Sequence, residues 1–201
     1  SIDCIITDPP FWTTACKWDS VIPFEPMWSE LKRIIKPNGA IVLFWSEPFS
    51  SALRMSNIKQ YKYDWKWRKT KANWFLNVKK MPLKDIEDIV IFWWWVYNPQ
   101  WVIEINKEVK NPNGRFIKWK HISGHNGGRM KKEKYIQKFT NYPRQVLDFK
   151  IESKPLHPTQ KPVALIEYLI RTYTNEWETV LDFTAGSGTT WVACKNTNRN
   201  Y

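Results

Sequence analysis

The chain has 201 residues, 43% of them hydrophobic, and a formal net charge of +12, enough apolar material for one packed domain or a core with a sizeable insertion. No apolar run is long enough to span a bilayer and the N-terminus lacks a signal-peptide pattern, so a cytoplasmic protein is expected. Cys4, Cys16 and Cys194 show no CxxC spacing and His121 and His125 sit in a Gly-rich stretch without a third ligand nearby, which argues for a reducing compartment and against a metal site.

Taken in chain order, Ile2–Thr7 is a β-branched, nearly continuous apolar run, which predicts a strand buried on both faces. It leads into Asp8-Pro9-Pro10-Phe11. Asp8 accepts hydrogen bonds, the prolines fix φ near −65° and leave their neighbouring carbonyls free, and Phe11 offers a flat face. Such a package suits an exocyclic amino group on a nucleobase. Met27, Leu31, Ile34 and Ile35 fall on one face of a predicted helix, closed by Lys36-Pro37-Asn38-Gly39. Residues 40–44, 88–92 and 179–183 predict three further buried strands. Pro162 is expected as a first helical residue, with Ile166, Leu169, Ile170 and Tyr173 as the apolar face behind it. Strands and helices alternating at this spacing predict an α/β layer architecture.

Charge is segregated along the chain. Residues 54–84 carry a net +9 and residues 101–154 a net +8, against −5 for the remainder. Segregation of this kind marks a polyanion footprint. Residues 101–154 also hold Phe116, Trp119, Tyr135, Phe139 and Tyr142 among Gly, Asn and Pro turns, and are expected to form an inserted recognition region. Residues 180–190 read Val-Leu-Asp-Phe-Thr-Ala-Gly-Ser-Gly-Thr-Thr: a strand, a small-residue turn, then a helix start whose unpaired N–H groups suit a carboxylate or phosphate. The third glycine of the dinucleotide fingerprint and the Lys of a P-loop are both missing, which counts against those two readings.

Three blocks together carry a resemblance: Asp-Pro-Pro-Phe at 8–11, His-Pro-Thr-Gln-Lys-Pro at 157–162, and Asp-Phe-Thr-Ala-Gly-Ser-Gly-Thr-Thr at 182–190, with Tyr-Pro-Arg at 142–144. Their content and order resemble the beta group of DNA amino-methyltransferases, which move methyl from S-adenosylmethionine to adenine N6 or cytosine N4. The resemblance implies a Rossmann-like class I methyltransferase sheet, mostly parallel, with an inserted basic target-recognition region and incomplete at both ends. It divides the chain into a catalytic half (residues 1–100), a target-recognition region (101–154) and a truncated cofactor-binding half (155–201). Asp8, Pro9, Pro10 and Phe11 are then the catalytic residues. Thr159, Lys161, Asp182, Phe183, Gly186, Ser187, Gly188 and Thr189 belong to the cofactor site, with Thr159 and Lys161 near the methionine end. The implied partner is double-stranded DNA, without membrane or metal, in a bacterial or phage restriction-modification setting. As a fragment, the chain alone is expected to be inactive. Asp8, where cytosine members usually carry Ser, favours adenine. Cytosine N4 and a catalytically silent DNA-binding homologue remain as alternatives.

Fourteen Trp against seven Gly inverts the usual proportion. Trp12, Trp45, Trp74, Trp93–Trp95, Trp177 and Trp191 stand where small residues are expected, whereas Trp18, Trp28, Trp65 and Trp67 look ordinary. The first group is expected to mark glycine positions of the natural protein, from a genome that reads UGA as glycine. A protein that uses its indoles for base stacking is the alternative.

Overall fold

A computed structural model of the chain describes residues 1–10, 22–73, 77–93, 96–110, 134–157 and 159–201. They form two compact units, Ser1–Gln100 with Arg144–Tyr201, and Trp101–Pro143. The smaller unit contains an antiparallel pair, Ile103–Lys110 and Lys134–Thr140. Phe11, Trp12, Trp18, Trp74, Phe116, Trp119, His121 and His125 lie outside the described residues.

The larger unit is built on six strands. In chain order its elements are β1 (Ile2–Thr7), α1 (Phe24–Ile34), β2 (Ile35–Trp45), α2 (Phe49–Ser56), β3 (Tyr61–Asn73) and β4 (Lys84–Phe92). With the small unit's pair numbered β5 and β6, there follow β7 (Val146–Asp148), α3 (Val163–Tyr173), β8 (Val180–Leu181) and α4 (Thr189–Asn196). The strand order is β7-β3-β4-β2-β1-β8, and only β4 runs against the other five. The sheet is therefore mostly parallel, as the α/β class I reading requires. β7, from residues expected to belong to the insertion, pairs with β3 in this sheet.

Alternate residues of each central strand enter opposite cores, which is why the strands read as continuous apolar runs. Cys4, Ile6, Ala40, Val42, Phe44, Ile89 and Ile91 pack with α3 residues Leu165, Ile166, Leu169 and Ile170. Ile5, Ile41, Leu43, Val90 and Phe92 face Met27, Trp28 and Leu31 of α1 and Leu53 of α2. The sheet is thus a middle layer between two helical ones. Pro162, expected as the first helical residue, is instead the extended N-cap of α3 (φ −62°, ψ 133°). The predicted strand at 179–183 shrinks to Val180–Leu181 because the Asp182 carboxylate accepts the Thr184 N–H (3.0 Å) and turns the chain. Residues 36–39, expected as a helix-closing turn, already belong to β2.

β3 was hidden by its charge. Tyr63, Trp65 and Trp67 point into one core, while Asp64, Lys66 and Arg68 form ion pairs on the other side. There Arg54 of α2 bridges Asp64 (2.6 Å), Asp88 (2.9 Å) and Glu47 (2.9 Å). Gly39 of β2 is constrained by space rather than by φ: a Cβ there would lie 2.7 Å from the Asp3 carbonyl oxygen and from the Ile35 side chain. Gly39→Ala is expected to cost about 1–3 kcal/mol in urea unfolding, since backbone on β1 cannot yield as a side chain does.

The tryptophans divide into two kinds. Trp28, Trp65 and Trp67 are buried with satisfied indoles, donating to Ser56 Oγ (2.8 Å), Tyr173 Oη (2.6 Å) and the Phe149 carbonyl (2.9 Å). Trp93, Trp101 and Trp177 have φ of 53°, 61° and 68°. The remaining positive-φ residues other than glycine, among those described, are Asn106, Asn141 and Asn198, and Asn tolerates that region while a bulky side chain does not. Trp45 is fully buried beside Phe24, and Trp191 sits in the first turn of α4, so neither occupies a backbone that calls for glycine.

Candidate active site

β1 and β8 are parallel neighbours, with Cys4 opposite Val180 and Ile5 opposite Leu181. Their carboxyl ends therefore deliver residues 7–10 and 182–190 to the same edge, the usual place for a ligand in a parallel sheet. A cavity of about 780 Å³ opens there. Asp8, Pro9 and Pro10 line it, and so do Thr159, Lys161, Asp182, Gly186, Ser187 and Thr189. Two residues expected in its wall are not among the lining residues: Phe183, which is 37% exposed, and Gly188. Lys69 and Lys71 of β3 and Lys84 of β4 give the cavity a basic side.

Asp182 acts as a clamp. Its Oδ1 accepts from Thr7 Oγ1 (2.8 Å) and the Thr184 N–H (3.0 Å), and its Oδ2 from Thr190 Oγ1 (2.6 Å). Thr184 Oγ1 lies 2.5 Å from Thr7 Oγ1 and 3.1 Å from the Asp8 carbonyl oxygen, with one proton to share between them. The two sequence blocks are thus tied by side chains more than 170 positions apart in the chain. The sequence motif marks Asp182, whereas Thr7 and Thr184 emerge as its partners only in the folded chain. A Thr closing a mostly buried strand is the available signal, because a buried hydroxyl needs a partner.

The turn before α4 needs its glycines. Gly186 and Gly188 have φ of 51° and 73°, and Gly188 is the N-cap of α4. A Cβ at Gly188 would meet nothing within 4 Å, so backbone conformation rather than crowding selects glycine here. The N–H groups of the first turn and the helix dipole favour an anionic group at this end.

Lys161, expected near the methionine end of a cofactor, forms an ion pair with Asp8 Oδ2 and lies 3.0 Å from Glu87 Oε1. Glu87 also pairs with Lys69 at 2.6 Å. Burial pushes the Asp8 carboxyl up to about 6, against the opposing pull of Lys161. Burial acts on Glu87 in the same direction, but Lys161 and Lys69 outweigh it and hold that carboxyl below its ordinary value. Burial disfavours the Lys161 ammonium, yet Asp8 and Glu87 hold its pKa well above the usual lysine range. Asp8 Oδ1 is buried without a hydrogen-bond partner among the described residues. An orphaned acceptor beside two rigid prolines is what an incoming amino group requires. Thr159 Oγ1 lies 3.0 Å from His157 Nδ1 at the exposed side of the site. Among the described residues no group of three or more His, Cys, Asp or Glu is placed to hold a metal ion, and no helix is long and apolar enough to cross a membrane.

Comparison with known proteins gives consistent results. The pattern of a family described as DNA methylase matches residues 2–201. The chain is 28% identical to the type II methyltransferase M.HpaI of Haemophilus parainfluenzae, over all of this chain and 62% of that protein. It is 23% identical to the type II methyltransferase M2.MboI of Moraxella bovis, over all of this chain and 74% of that protein. The chain thus spans under two thirds of the length of M.HpaI and about three quarters of M2.MboI. Among solved structures, the M1.HpyAVI–SAM complex superposes with a TM-score of 0.63 at 28% identity, covering 99% of this chain and 80% of the other. The PvuII DNA methyltransferase (cytosine-N4-specific) gives a TM-score of 0.62 at 16% identity, covering 100% and 73%, a likeness of fold alone.

Proposed function

The chain belongs to the N6/N4 DNA methylase family, and from that premise we propose that it methylates DNA, moving the methyl group of S-adenosylmethionine to N6 of an adenine extruded from the duplex. The observation that carries this reading is the orphaned Asp8 Oδ1 in the same cavity as the Gly186–Thr189 turn. A volume of about 780 Å³ lies within the range of cofactor and ligand sites, about 300–1,000 Å³. The residues fit the group: Gly186 and Ser187 offer backbone approach, and the N-terminus of α4 suits its carboxylate. That the relative M1.HpyAVI was solved as a SAM complex supports the same donor.

S-adenosylmethionine, when bound, supplies an electrophilic methyl on a sulfonium. The chain's own residues prepare the acceptor. An adenine amino nitrogen is a weak nucleophile because its lone pair is delocalised into the ring. Asp8 Oδ1 accepts one amino hydrogen, and a carbonyl at Pro9 or Pro10 accepts the other, favouring a pyramidal nitrogen whose lone pair is free to attack. As the N–CH3 bond forms, the methyl–sulfur bond would break with its electron pair staying on sulfur as a neutral thioether, and the excess proton on N6 would pass by way of Asp8 Oδ1 to water. Positioning and fixed dipoles supply most of the effect, without a strong base. Thr184, bonded to the Asp8 carbonyl, keeps this group in register with the cofactor turn. Phe11 is assigned to stack on the extruded base, an interaction worth roughly 1–3 kcal/mol. Lys71 and Lys84 are assigned to phosphates of the duplex backbone, and the basic segment at 101–154 is separately assigned to DNA by its net charge of +8.

Adenine is preferred because Asp8 carries the charge that cytosine members usually lack. Cytosine N4 is the second reading, because the family that the chain matches spans both N6 and N4 methylases. Calorimetry with S-adenosylmethionine tests the donor site. Saturable binding that weakens when Gly186 is replaced by Val is the expected result. Salt-sensitive DNA binding with no detectable cofactor binding would assign a silent DNA-binding protein instead.

A further inference from the structure

Glu87 is an acid inside an apolar strand and has no part in the chemistry described above. It is 5% exposed, stands in the wall of the cavity, and is opposite Trp67 in the β3–β4 register. A buried carboxylate persists only against cations or donors, and Glu87 has two: Lys69 at 2.6 Å and Lys161 at 3.0 Å. Lys161 reaches Asp8 on its other side, with its Nζ 5.2 Å from the Phe44 ring centroid. Lys69, Glu87, Lys161 and Asp8 therefore alternate in sign along one wall. The line ends on Asp8 Oδ1, which has no hydrogen-bond partner among the described residues.

The geometry points to Glu87 as a positioning residue for methyl transfer, sharing the Lys161 ammonium with Asp8 so that one Asp8 oxygen is fixed and the other is left for the target amino group. This rests on the reading of Asp8 as the amino-group acceptor. A lysine held only by Asp8 settles between the two carboxylate oxygens and weakens both as acceptors. Held from behind by Glu87, the ammonium stays on Oδ2, and Oδ1 keeps its charge density and its direction. Lys69 on the far oxygen of Glu87 holds the second carboxylate in turn.

Glu87→Gln keeps the shape and removes the charge. In the full protein, kcat for DNA methylation is expected to fall about 100-fold, the scale of a small misplacement at the reacting group, with the S-adenosylmethionine Kd unchanged. Glu87→Asp, which retains the charge, is expected to recover most of the loss. Wild-type kcat in Glu87→Gln would overturn the inference. So would equal losses in Gln and Asp variants that track lost cofactor binding, since that pattern marks a purely structural role. Asp8→Ala separates the two levels: methylation surviving there refutes the reading of Asp8 itself, whereas an inactive Asp8→Ala beside a fully active Glu87→Gln refutes only the role of Glu87.

Discussion

Replacing Asp8 by Ala is expected to lower kcat for DNA methylation by on the order of 10³-fold, the upper range for removing one preorganised polar contact from a reacting group. Cofactor binding is expected to persist, because Asp182 holds the Gly186–Thr189 turn through Thr7, Thr184 and Thr190, and Thr184 bonds the Asp8 backbone carbonyl, which Ala retains. The fold is expected to persist as well, since Lys161 keeps Glu87 as a counter-ion. Asn at the same position retains a carbonyl acceptor without the charge, so an intermediate rate is expected. The wild-type rate should rise with pH through about 6, as the buried Asp8 carboxyl ionises and becomes a full acceptor. Asn should remove that limb. A rate in Asp8→Ala equal to wild type would disprove the assignment.

Tryptophan-to-glycine substitution is expected to change sign with position. Trp67 is 2% exposed, and its indole nitrogen donates to the Phe149 carbonyl. Trp67→Gly is expected to cost at least the ~3–5 kcal/mol of removing a buried aromatic. Trp177 is 71% exposed at φ 68° in a tight turn. A bulky residue there bears about 1–2 kcal/mol of left-handed backbone strain, partly offset by the extra flexibility of glycine in the unfolded chain. Trp177→Gly is therefore expected to stabilise by about 1 kcal/mol, or roughly 2–4 °C in Tm for a chain of this size. Trp177→Ala is the control, because its Cβ keeps the strain. Equal stability of the Ala and Gly variants would show that φ is not the cause. The codons carry the same test: UGA at 93, 101 and 177 with UGG at 28, 65 and 67 is the pattern expected if the strained set stands where the natural protein has glycine.

The central sheet was legible because both its faces are buried. β1 reads as a nearly continuous apolar run broken by Asp3, and α1 and α3 show one apolar face each, so local sequence carries their identity. β3 was equally patterned, with Tyr63, Trp65 and Trp67 alternating with Lys62, Asp64, Lys66 and Arg68. Its lysines and arginines suggested a polyanion footprint, and that reading obscured the period of two. The paired blocks at 8–11 and 182–190 were legible as motifs, yet what joins them was not. Thr7, Thr184 and Asp182 meet only because β1 and β8 are neighbours in parallel register. The Lys69–Glu87–Lys161–Asp8 line likewise draws on β3, β4, the segment before α3 and the end of β1. Ion pairs across so many elements depend on register, which no single stretch of sequence states.

The most direct test of the central claim is to incubate the full protein with DNA and methyl-labelled S-adenosylmethionine, digest the product to nucleosides and identify the labelled one. Label in N6-methyladenosine of the deoxy series is the expected result, lost in Asp8→Ala. Label in N4-methylcytosine alone, or DNA that binds the protein and gains no label, would contradict it.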